Sequence, residues 1–382
     1  MGNPGNSPQE VHRIVVKVGT RLITHKTGKL NLDYVERLVR QLADLTNQGI
    51  EVILVTSGAV GAGMGRMGID RWPDDLPDKQ AAAAVGQGLL LQIYEKLFAE
   101  YGLVVAQILL TRADVADRRR YINACNTLLT LLRWGVVPII NENDSVSVDE
   151  IKFGDNDQLS ALVACLSDAD LLVLLTTTDG LYTSNPHRDE KAVFVPVVDR
   201  ITPEVRSWAD TSTDEVARGG MITKLQAAEI ATKSGIGVVI TDGNFPRVLQ
   251  RVQSGEKVGT YFRPQAGYVK RRKRWIAFAR VAKGSVIIDD GAREALCNDG
   301  KSLLPVGVIG VKGSFEPGES IRVLDTDGME IGRGLSNFSS SELEHIKSRP
   351  SAEIRRLVKR PVTAVEVIRR NNLVVHEPPQ AN

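Results

Sequence analysis

Short apolar runs alternate with longer amphipathic segments along the first 262 residues of the chain. The apolar runs are typical of buried strands and lie at residues 13–18, 51–56, 103–110, 136–140, 170–176 and 237–241. The segments with helical spacing of apolar residues lie at residues 32–48, 79–101, 117–133, 157–167 and 221–234. Apolar strands that alternate with helices predict an α/β fold, in which helices sandwich a mostly parallel sheet.

The pattern changes after residue 262. Residues 263–274 contain Pro, Gly and five consecutive basic side chains, which predicts a basic linker after a first domain at residues 13–262. Residues 275–355 hold short β segments between glycine turns, and this pattern indicates a separate, small, β-rich domain. Residues 1–12 and 356–382 are expected to be tails.

The composition is that of an ordinary globular protein, with 42% apolar and 25% charged residues. A net charge of +2 does not favour binding to nucleic acid or to an anionic membrane. The three cysteines lie far apart, without disulfide or zinc spacing, and no apolar stretch approaches the ~20 residues that span a bilayer. We therefore expect a cytoplasmic protein without a membrane segment.

Polar, glycine-rich residues follow several of the predicted strands. Lys17 ends the first strand, Ser57 follows the second, and Thr176 ends the strand at 170–176. Ligands of open α/β sheets bind outside the carboxyl ends of the strands, so these residues predict a site at one edge of the sheet.

Two glycine-rich stretches and two lysines favour a site for a phosphate. Gly58, Gly61 and Gly63 precede or open one predicted helix, where backbone N–H groups and the helix dipole attract an anion. Gly219 and Gly220 stand in the same relation to a second helix, which carries Lys224. Lys17 ends a buried strand and needs an anionic partner, either a loop carboxylate or a phosphate. The alternative for each glycine stretch is a tight turn.

The segment NENDSVSVDEIKFGDNDQ, at residues 141–158, places many acidic and amide side chains between two apolar stretches. It is either a surface loop of Asx turns or a set of ligand contacts. Other motifs are weak. GMGRMG at residues 63–68 begins seven residues after Thr56, too late for a dinucleotide fingerprint, and neither a P-loop nor an EF-hand pattern occurs.

These motifs together resemble those of the amino acid kinase family. The matching stretches are VVKVGT (15–20), ILVTSGAVGAG (53–63), KQAAAAVGQ (79–87), LLTRAD (109–114), NENDSV (141–146), EIKFGDNDQLSALVA (150–164), TDGLYTSNP (178–186) and GGMITKLQAA (219–228). The resemblance covers nearly all of residues 13–262. The region from residue 275, with DDGA and SLLP and the preceding KRW, resembles a PUA domain.

The resemblance is strongest to the members of this family that carry a PUA domain and phosphorylate L-glutamate. It implies that ATP donates a phosphoryl group to the γ-carboxylate, in the first step of proline synthesis. A carboxylate of pKa ~4.3 is already ionised at neutral pH, so the nucleophile needs no base. Catalysis then consists mostly of positioning and charge neutralisation. Mg²⁺ is expected to arrive on the phosphates, without a protein ligand.

By position in the matching motifs, Lys17 and Lys224 are expected to neutralise the transferring phosphoryl group, and Asp157 to orient both lysines. Ser57, Asp144 and Asn156 are expected to bind glutamate. The residues expected to bind ATP are Lys17, Gly19, Thr176, Thr177, Arg218, Gly219, Gly220, Met221, Ile222, Thr223 and Lys224. Thr177 and Arg218 depart from the family pattern, which usually has Asp and Thr there, and both departures concern nucleotide contacts.

Further expectations concern regulation, assembly and the alternatives. Proline is expected to inhibit, and a homo-oligomer (dimer or tetramer) is expected. Another amino acid kinase, such as an acetylglutamate kinase or an aspartokinase, would share most of the motifs. An RNA-binding protein is the alternative from a different class, because PUA domains elsewhere bind RNA and KRRKRW is basic with an aromatic residue.

Overall fold

The computed structural model describes residues 11–25, 27, 29–146, 156–186, 189–210, 220–265, 282–357 and 365–375. The chain divides into two compact units, Met1–Tyr268 and Val269–Asn382. The finer boundaries given above for tails, linker and domains stay predictions. The described residues include no helix with the length and hydropathy to span a membrane.

The described part of the first unit contains an eight-stranded sheet, a two-stranded sheet and ten α-helices. The strands are β1 (Arg13–Val18), β2 (Glu51–Val55), β3 (Val105–Leu110), β4 (Val137–Glu142), β5 (Leu171–Thr176), β6 (Leu181–Tyr182), β7 (Phe194–Val195), β8 (Val197–Val198), β9 (Gly237–Asp242) and β10 (Thr260–Phe262). The helices are α1 (Thr20–Ile23), α2 (Leu32–Asn47), α3 (Ala59–Met67), α4 (Leu76–Ala99), α5 (Arg112–Ala116), α6 (Arg118–Arg133), α7 (Asn156–Ser167), α8 (Pro203–Asp210), α9 (Met221–Lys233) and α10 (Val248–Gln253).

The large sheet has the strand order β3-β4-β2-β1-β5-β9-β10-β8. Its neighbouring strands are parallel, apart from the antiparallel pair β9–β10. Lys17 is in register with Val55 on one side and with Leu174 on the other, so β1, β2 and β5 end at the same edge. This confirms the expected mostly parallel α/β fold and places the carboxyl ends of the strands together.

Helix α2 shows how the local sequence selects its element. The Asn31 side chain accepts a hydrogen bond from the backbone N–H of Tyr34 and begins the helix. Val35, Leu38 and Leu42 are buried on one face and pack into the core of the sheet. Gly49, with φ 88°, ends the segment because the left-handed backbone favours glycine.

Two details differ from the sequence-based expectations. Strand β4 continues through Asn141 and Glu142, which were assigned to the acidic loop; both pair with β3 and are buried. Gly63 was expected to bring backbone close to an anion, but it lies inside α3, where a Cβ would sit 1.8 Å from the carbonyl oxygen of Ala82 on α4. That glycine therefore permits close helix packing.

The second unit is the expected small β-rich domain. Its strands are β11 (Gly284–Ile288), β12 (Val308–Gly313), β13 (Ser320–Leu324), β14 (Glu330–Leu335) and β15 (Leu373–Val375), and its α-helices are α11 (Asp290–Cys297), α12 (Ser340–Ile346) and α13 (Ser351–Leu357). The five strands form one sheet in the order β12-β11-β13-β14-β15, in which β11 and β13 are parallel. Its own core includes Phe315, Ile321 and Phe338.

Candidate active site

Three charged side chains meet at the carboxyl edge of the large sheet. Lys17 comes from β1, Asp157 from the first turn of α7 and Lys224 from the first turns of α9. Nζ of Lys17 lies 2.6 Å from Oδ1 of Asp157, and Nζ of Lys224 lies 3.1 Å from Oδ2. The exposed fractions of the three residues are 3%, 0% and 6%, respectively.

Two positive side chains share one buried carboxylate in this cluster. Burial alone would raise the pKa of Asp157, but the ammonium groups of Lys17 and Lys224, with a hydrogen bond from Thr223, hold that pKa well below its ordinary value. The carboxylate is therefore ionised between two ammonium groups, and the three side chains carry one net positive charge. Buried charges are screened little by their surroundings, and two ammonium groups at one position attract negative charge, so the cluster is suited to an anion.

Helix α9 adds a second feature that favours an anion. Its N-cap residue, Gly220, has an extended backbone, and the N–H groups of Met221, Ile222 and Thr223 have no partner within the helix. Oγ1 of Thr223 lies 2.8 Å from Oδ2 of Asp157 and 2.9 Å from the carbonyl oxygen of Gly220. The helix N-terminus and the lysine cluster therefore present positive potential at adjoining positions.

A second group of polar side chains surrounds Asn156, which precedes Asp157 in the chain. Its Nδ2 lies 3.0 Å from the carbonyl oxygen of Thr56, 2.9 Å from Oγ of Ser57 and 3.0 Å from Oδ1 of Asn141. These contacts join the ends of β2 and β4 to the start of α7. Within the described residues, Oδ1 of Asn156 and Nδ2 of Asn141 are buried without a hydrogen-bond partner, and such groups are costly in a protein interior.

The remaining predicted site residues lie along the same edge. Thr176 ends β5 and is half-buried, and the next residue, Thr177, is exposed. Gly19 follows β1, and a Cβ there would lie 3.9 Å from Nζ of Lys17. Asp144 is half-buried in the turn that follows β4. Arg218 and Gly219 fall outside the described residues, as do residues 147–155 of the acidic segment.

The sequence did not single out Asn141, Thr56 or Tyr94. Asn141 accepts the hydrogen bond from Asn156, and the Thr56 hydroxyl lies 2.9 Å from the hydroxyl of Tyr94 on α4. The position of Asn141, first in the acidic segment and directly after an apolar strand, was a usable signal. Tyr94 gave a weaker one, because an aromatic residue in an Ala/Leu-rich helix is most often plain core.

Comparison with known proteins places this arrangement in a family. The model of the amino acid kinase family matches residues 12–242, and the PUA domain model matches residues 284–358. The chain belongs to the amino acid kinase family, which confirms the resemblance of its motifs.

Individual relatives are similar over nearly the whole chain. It is 52% identical over 366 residues to the glutamate 5-kinase of Moorella thermoacetica, covering 96% of this chain and 97% of that protein. It is 50% identical over 365 residues to the glutamate 5-kinase of Caldanaerobacter subterraneus subsp. tengcongensis, covering 96% and 98%. A solved UMP kinase from Bacillus anthracis, at 16% identity and TM-score 0.46, covers 68% of this chain and 98% of its own; a likeness this weak supports no assignment.

Proposed function

We propose that this protein transfers the γ-phosphoryl group of ATP to the γ-carboxylate of L-glutamate, giving L-glutamyl 5-phosphate, the first step of proline synthesis. The full-length similarity to glutamate 5-kinases supports the substrate pair. The observation that carries the chemistry is the buried Lys17–Asp157–Lys224 cluster, in which two ammonium groups lie on one carboxylate at the sheet edge.

The reaction brings two anions together, the γ-carboxylate and the ATP phosphates, and the positive side chains of the cluster reduce the repulsion between them. A γ-carboxylate oxygen forms the new bond to the γ-phosphorus, while the bond to the β–γ bridging oxygen breaks and ADP leaves with its electron pair. Lys17 and Lys224 neutralise the negative charge on the phosphoryl oxygens while the group passes from ADP to the carboxylate. Asp157 keeps both ammonium groups in place, so little reorganisation is needed during transfer. The substrate carboxylate is already ionised, and no general base is assigned.

The nucleotide is proposed to lie between Gly19, the end of β5 at Thr176 and Thr177, and the loop and helix at residues 218–224. The N–H groups in the first turn of α9 point away from the helix and suit its phosphates. Thr177 is exposed at the edge of the sheet. Its hydroxyl therefore offers a neutral contact where the family usually has a carboxylate, which concerns ATP affinity rather than the transfer step.

Glutamate is proposed to bind at Ser57, Asp144 and Asn156, joined by Asn141. Among the described residues, neither the side-chain carbonyl oxygen of Asn156 nor the amide of Asn141 has a hydrogen-bond partner. The first can accept from an α-ammonium group, and the second can donate to a carboxylate. An amino acid supplies both partners. Proline shares its α-carboxylate and cationic nitrogen with glutamate but has no γ-carboxylate, and we propose that it inhibits by occupying the same contacts.

Mg²⁺ is proposed to accompany the nucleotide. The described residues contain no group of three or more His, Cys, Asp or Glu side chains that could hold a metal ion. We assign Mg²⁺ no protein ligand and propose that the nucleotide phosphates and water bind it. When bound, it supplies further neutralisation of phosphate charge.

A substrate panel tests the proposal. ADP release is measured with ATP and, in turn, L-glutamate, N-acetyl-L-glutamate, L-aspartate and UMP. We expect turnover with L-glutamate to exceed turnover with each other acceptor by at least ~100-fold, because the alternatives leave buried polar groups unpaired or do not fit. Faster turnover with any other acceptor would refute the assignment.

A further inference from the structure

Helix α4 carries two buried polar side chains on the face that packs against the rest of the unit. Gln87 is 8% exposed and Tyr94 is fully buried. They are seven residues apart, about two helical turns, and therefore lie on the same face. Their buried neighbours on this helix include Ala83, Leu90 and Phe98, so the two polar groups stand in an otherwise apolar surface.

Each polar group contacts the end of a different strand. Nε2 of Gln87 donates to the backbone carbonyl of Glu142, the last residue of β4, at 3.1 Å. The hydroxyl of Tyr94 lies 2.9 Å from Oγ1 of Thr56, directly after β2. A buried hydroxyl or amide is costly unless it is hydrogen-bonded, and phenylalanine would fill the space of Tyr94 without that requirement.

The direction of the Tyr94 hydrogen bond follows from the neighbouring contact. The Thr56 hydroxyl has one proton and donates it to the carbonyl oxygen of Ser57, at 3.3 Å. Tyr94 is then the donor to Oγ1 of Thr56. Burial raises the pKa of Tyr94 to about 12, so its hydroxyl keeps that proton at neutral pH.

Asn156 joins the same two strand ends through the carbonyl of Thr56 and the side chain of Asn141. Asn156, at the start of α7, and the polar side chains of α4 therefore contact the same two strand ends. Helix α4 is also held close to the start of α3, because a Cβ on Gly86 would sit 1.8 Å from the carbonyl oxygen of Ala59. Ala59 is only two residues beyond Ser57, so α4 has little freedom to move relative to these contacts.

We propose that Tyr94 and Gln87 are positioning residues for the amino-acid substrate, and that they fix Ser57, Asn141 and Asn156 without touching the substrate themselves. This inference rests on the proposed function, because it assigns those three residues to glutamate. The lysine cluster is held by contacts within β1, α7 and α9. Loss of the Tyr94 hydroxyl therefore weakens glutamate binding and leaves ATP binding unchanged.

The test compares Tyr94→Phe with Tyr101→Phe in the full-length protein. Tyr101 packs partly buried against the same core and is the matched loss of a hydroxyl. We expect Tyr94→Phe to raise KM for glutamate roughly 5- to 30-fold, as for the loss of one buried hydrogen bond, with less than about a 2-fold change in KM for ATP. Tyr101→Phe is expected to change neither constant.

A second pair of variants separates positioning from folding. Thr56→Val removes the acceptor of the Tyr94 hydrogen bond, and Thr56→Ser retains it. We expect Thr56→Val to raise KM for glutamate and Thr56→Ser to leave KM near the wild-type value. The Tyr94→Phe/Thr56→Val double variant is expected to have a KM for glutamate no higher than that of the more impaired single variant.

The outcomes are distinguishable. A wild-type protein that shows no glutamate-dependent ADP release refutes the proposed function itself. A wild-type protein that is active, with a Tyr94→Phe variant whose KM values for glutamate and ATP change equally or not at all, refutes the positioning role alone. Additive effects of Tyr94→Phe and Thr56→Val would also refute it, because residues that act through one hydrogen bond are not independent.

Discussion

Lys17 and Asp157 form a buried ion pair, with 2.6 Å between Nζ and Oδ1. Such a pair contributes little net stability, because desolvation offsets most of the attraction. The ion pair instead fixes the position of a charged group. The second lysine, Lys224, shares the same carboxylate, and one negative charge therefore holds two positive groups at fixed positions. A site arranged in this way is prepared for an anion before the anion arrives.

The lysines are expected to act on the transfer step. Lys224→Met and Lys17→Met each remove one buried positive charge, and kcat is expected to fall at least ~100-fold, comparable to the loss of one transition-state donor. KM for glutamate is expected to change little. The control is Lys233→Ala on the same helix, a half-exposed lysine 2.7 Å from Glu229. Steady-state kinetics decides, and near-normal turnover of either cluster variant contradicts the assigned role.

Asp157→Asn is expected to lower kcat and to change the pH dependence of stability. A carboxyl whose pKa is lower in the folded than in the unfolded protein stabilises the fold above its unfolded pKa, and this contribution is lost as the pH falls through the folded pKa. The ordinary value is 3.8, and the pKa of Asp157 is lowered from it. The wild-type advantage in unfolding free energy should therefore be constant from pH 7 to about 5 and shrink below pH 3.8.

Urea unfolding of wild type and Asp157→Asn between pH 7 and 3 provides the measurement. Asp33→Asn is the control, because the Asp33 side chain is 79% exposed in its pair with Arg37. An exposed pair of this kind contributes little at any pH. A wild-type advantage over Asp157→Asn that grows as the pH falls would show that the carboxylate is not stabilised by the two lysines.

Gly63 and Gly88 offer a matched pair for the packing of α3 on α4. Gly63→Ala places a Cβ 1.8 Å from the carbonyl oxygen of Ala82, so the helices must separate. We expect a loss of about 3 kcal/mol or more in the free energy of unfolding. A Cβ at Gly88 on α4 meets nothing within 4 Å, and Gly88→Ala is expected to stabilise by up to ~1 kcal/mol. Equal urea midpoints for the two variants would refute the close contact.

Much of the site was predictable because the period of the apolar residues locates the strand ends. In a parallel sheet those ends share an edge, so Lys17, Ser57 and Thr176 could be assigned to one site before any contact was known. The glycine-rich stretch before α9 indicated Lys224, and the motif resemblance then added Asp157. The structure brings Nζ of Lys224 within hydrogen-bond distance of the Asp157 carboxylate.

Other features were not predictable, since the same residue pattern has two physical solutions. The apolar run stops at Ile140, yet backbone pairing with β3 continues β4 through Glu142 and buries Asn141. Gly63 fits both a loop near an anion and a helix–helix contact, and only the tertiary packing decides between them. The hydroxyl of Tyr94 is likewise recognisable only once Thr56 is seen beside it.

Proline is expected to inhibit competitively with glutamate and without effect on the apparent affinity for ATP. Its α-carboxylate and ring nitrogen can use the contacts around Asn156, and it offers no nucleophile to the phosphoryl group. Asn156→Ala is therefore expected to raise KM for glutamate and Ki for proline together, each roughly 10-fold or more, because both ligands lose the same buried polar partner.

Lys233→Ala serves as the control, because Lys233 lies on another helix and is assigned no contact with either ligand. Initial rates against glutamate at several proline concentrations provide the measurement. Proline would bind at a different site if it lowered the maximal rate without changing KM for glutamate. The same conclusion would follow if Asn156→Ala left Ki for proline unchanged.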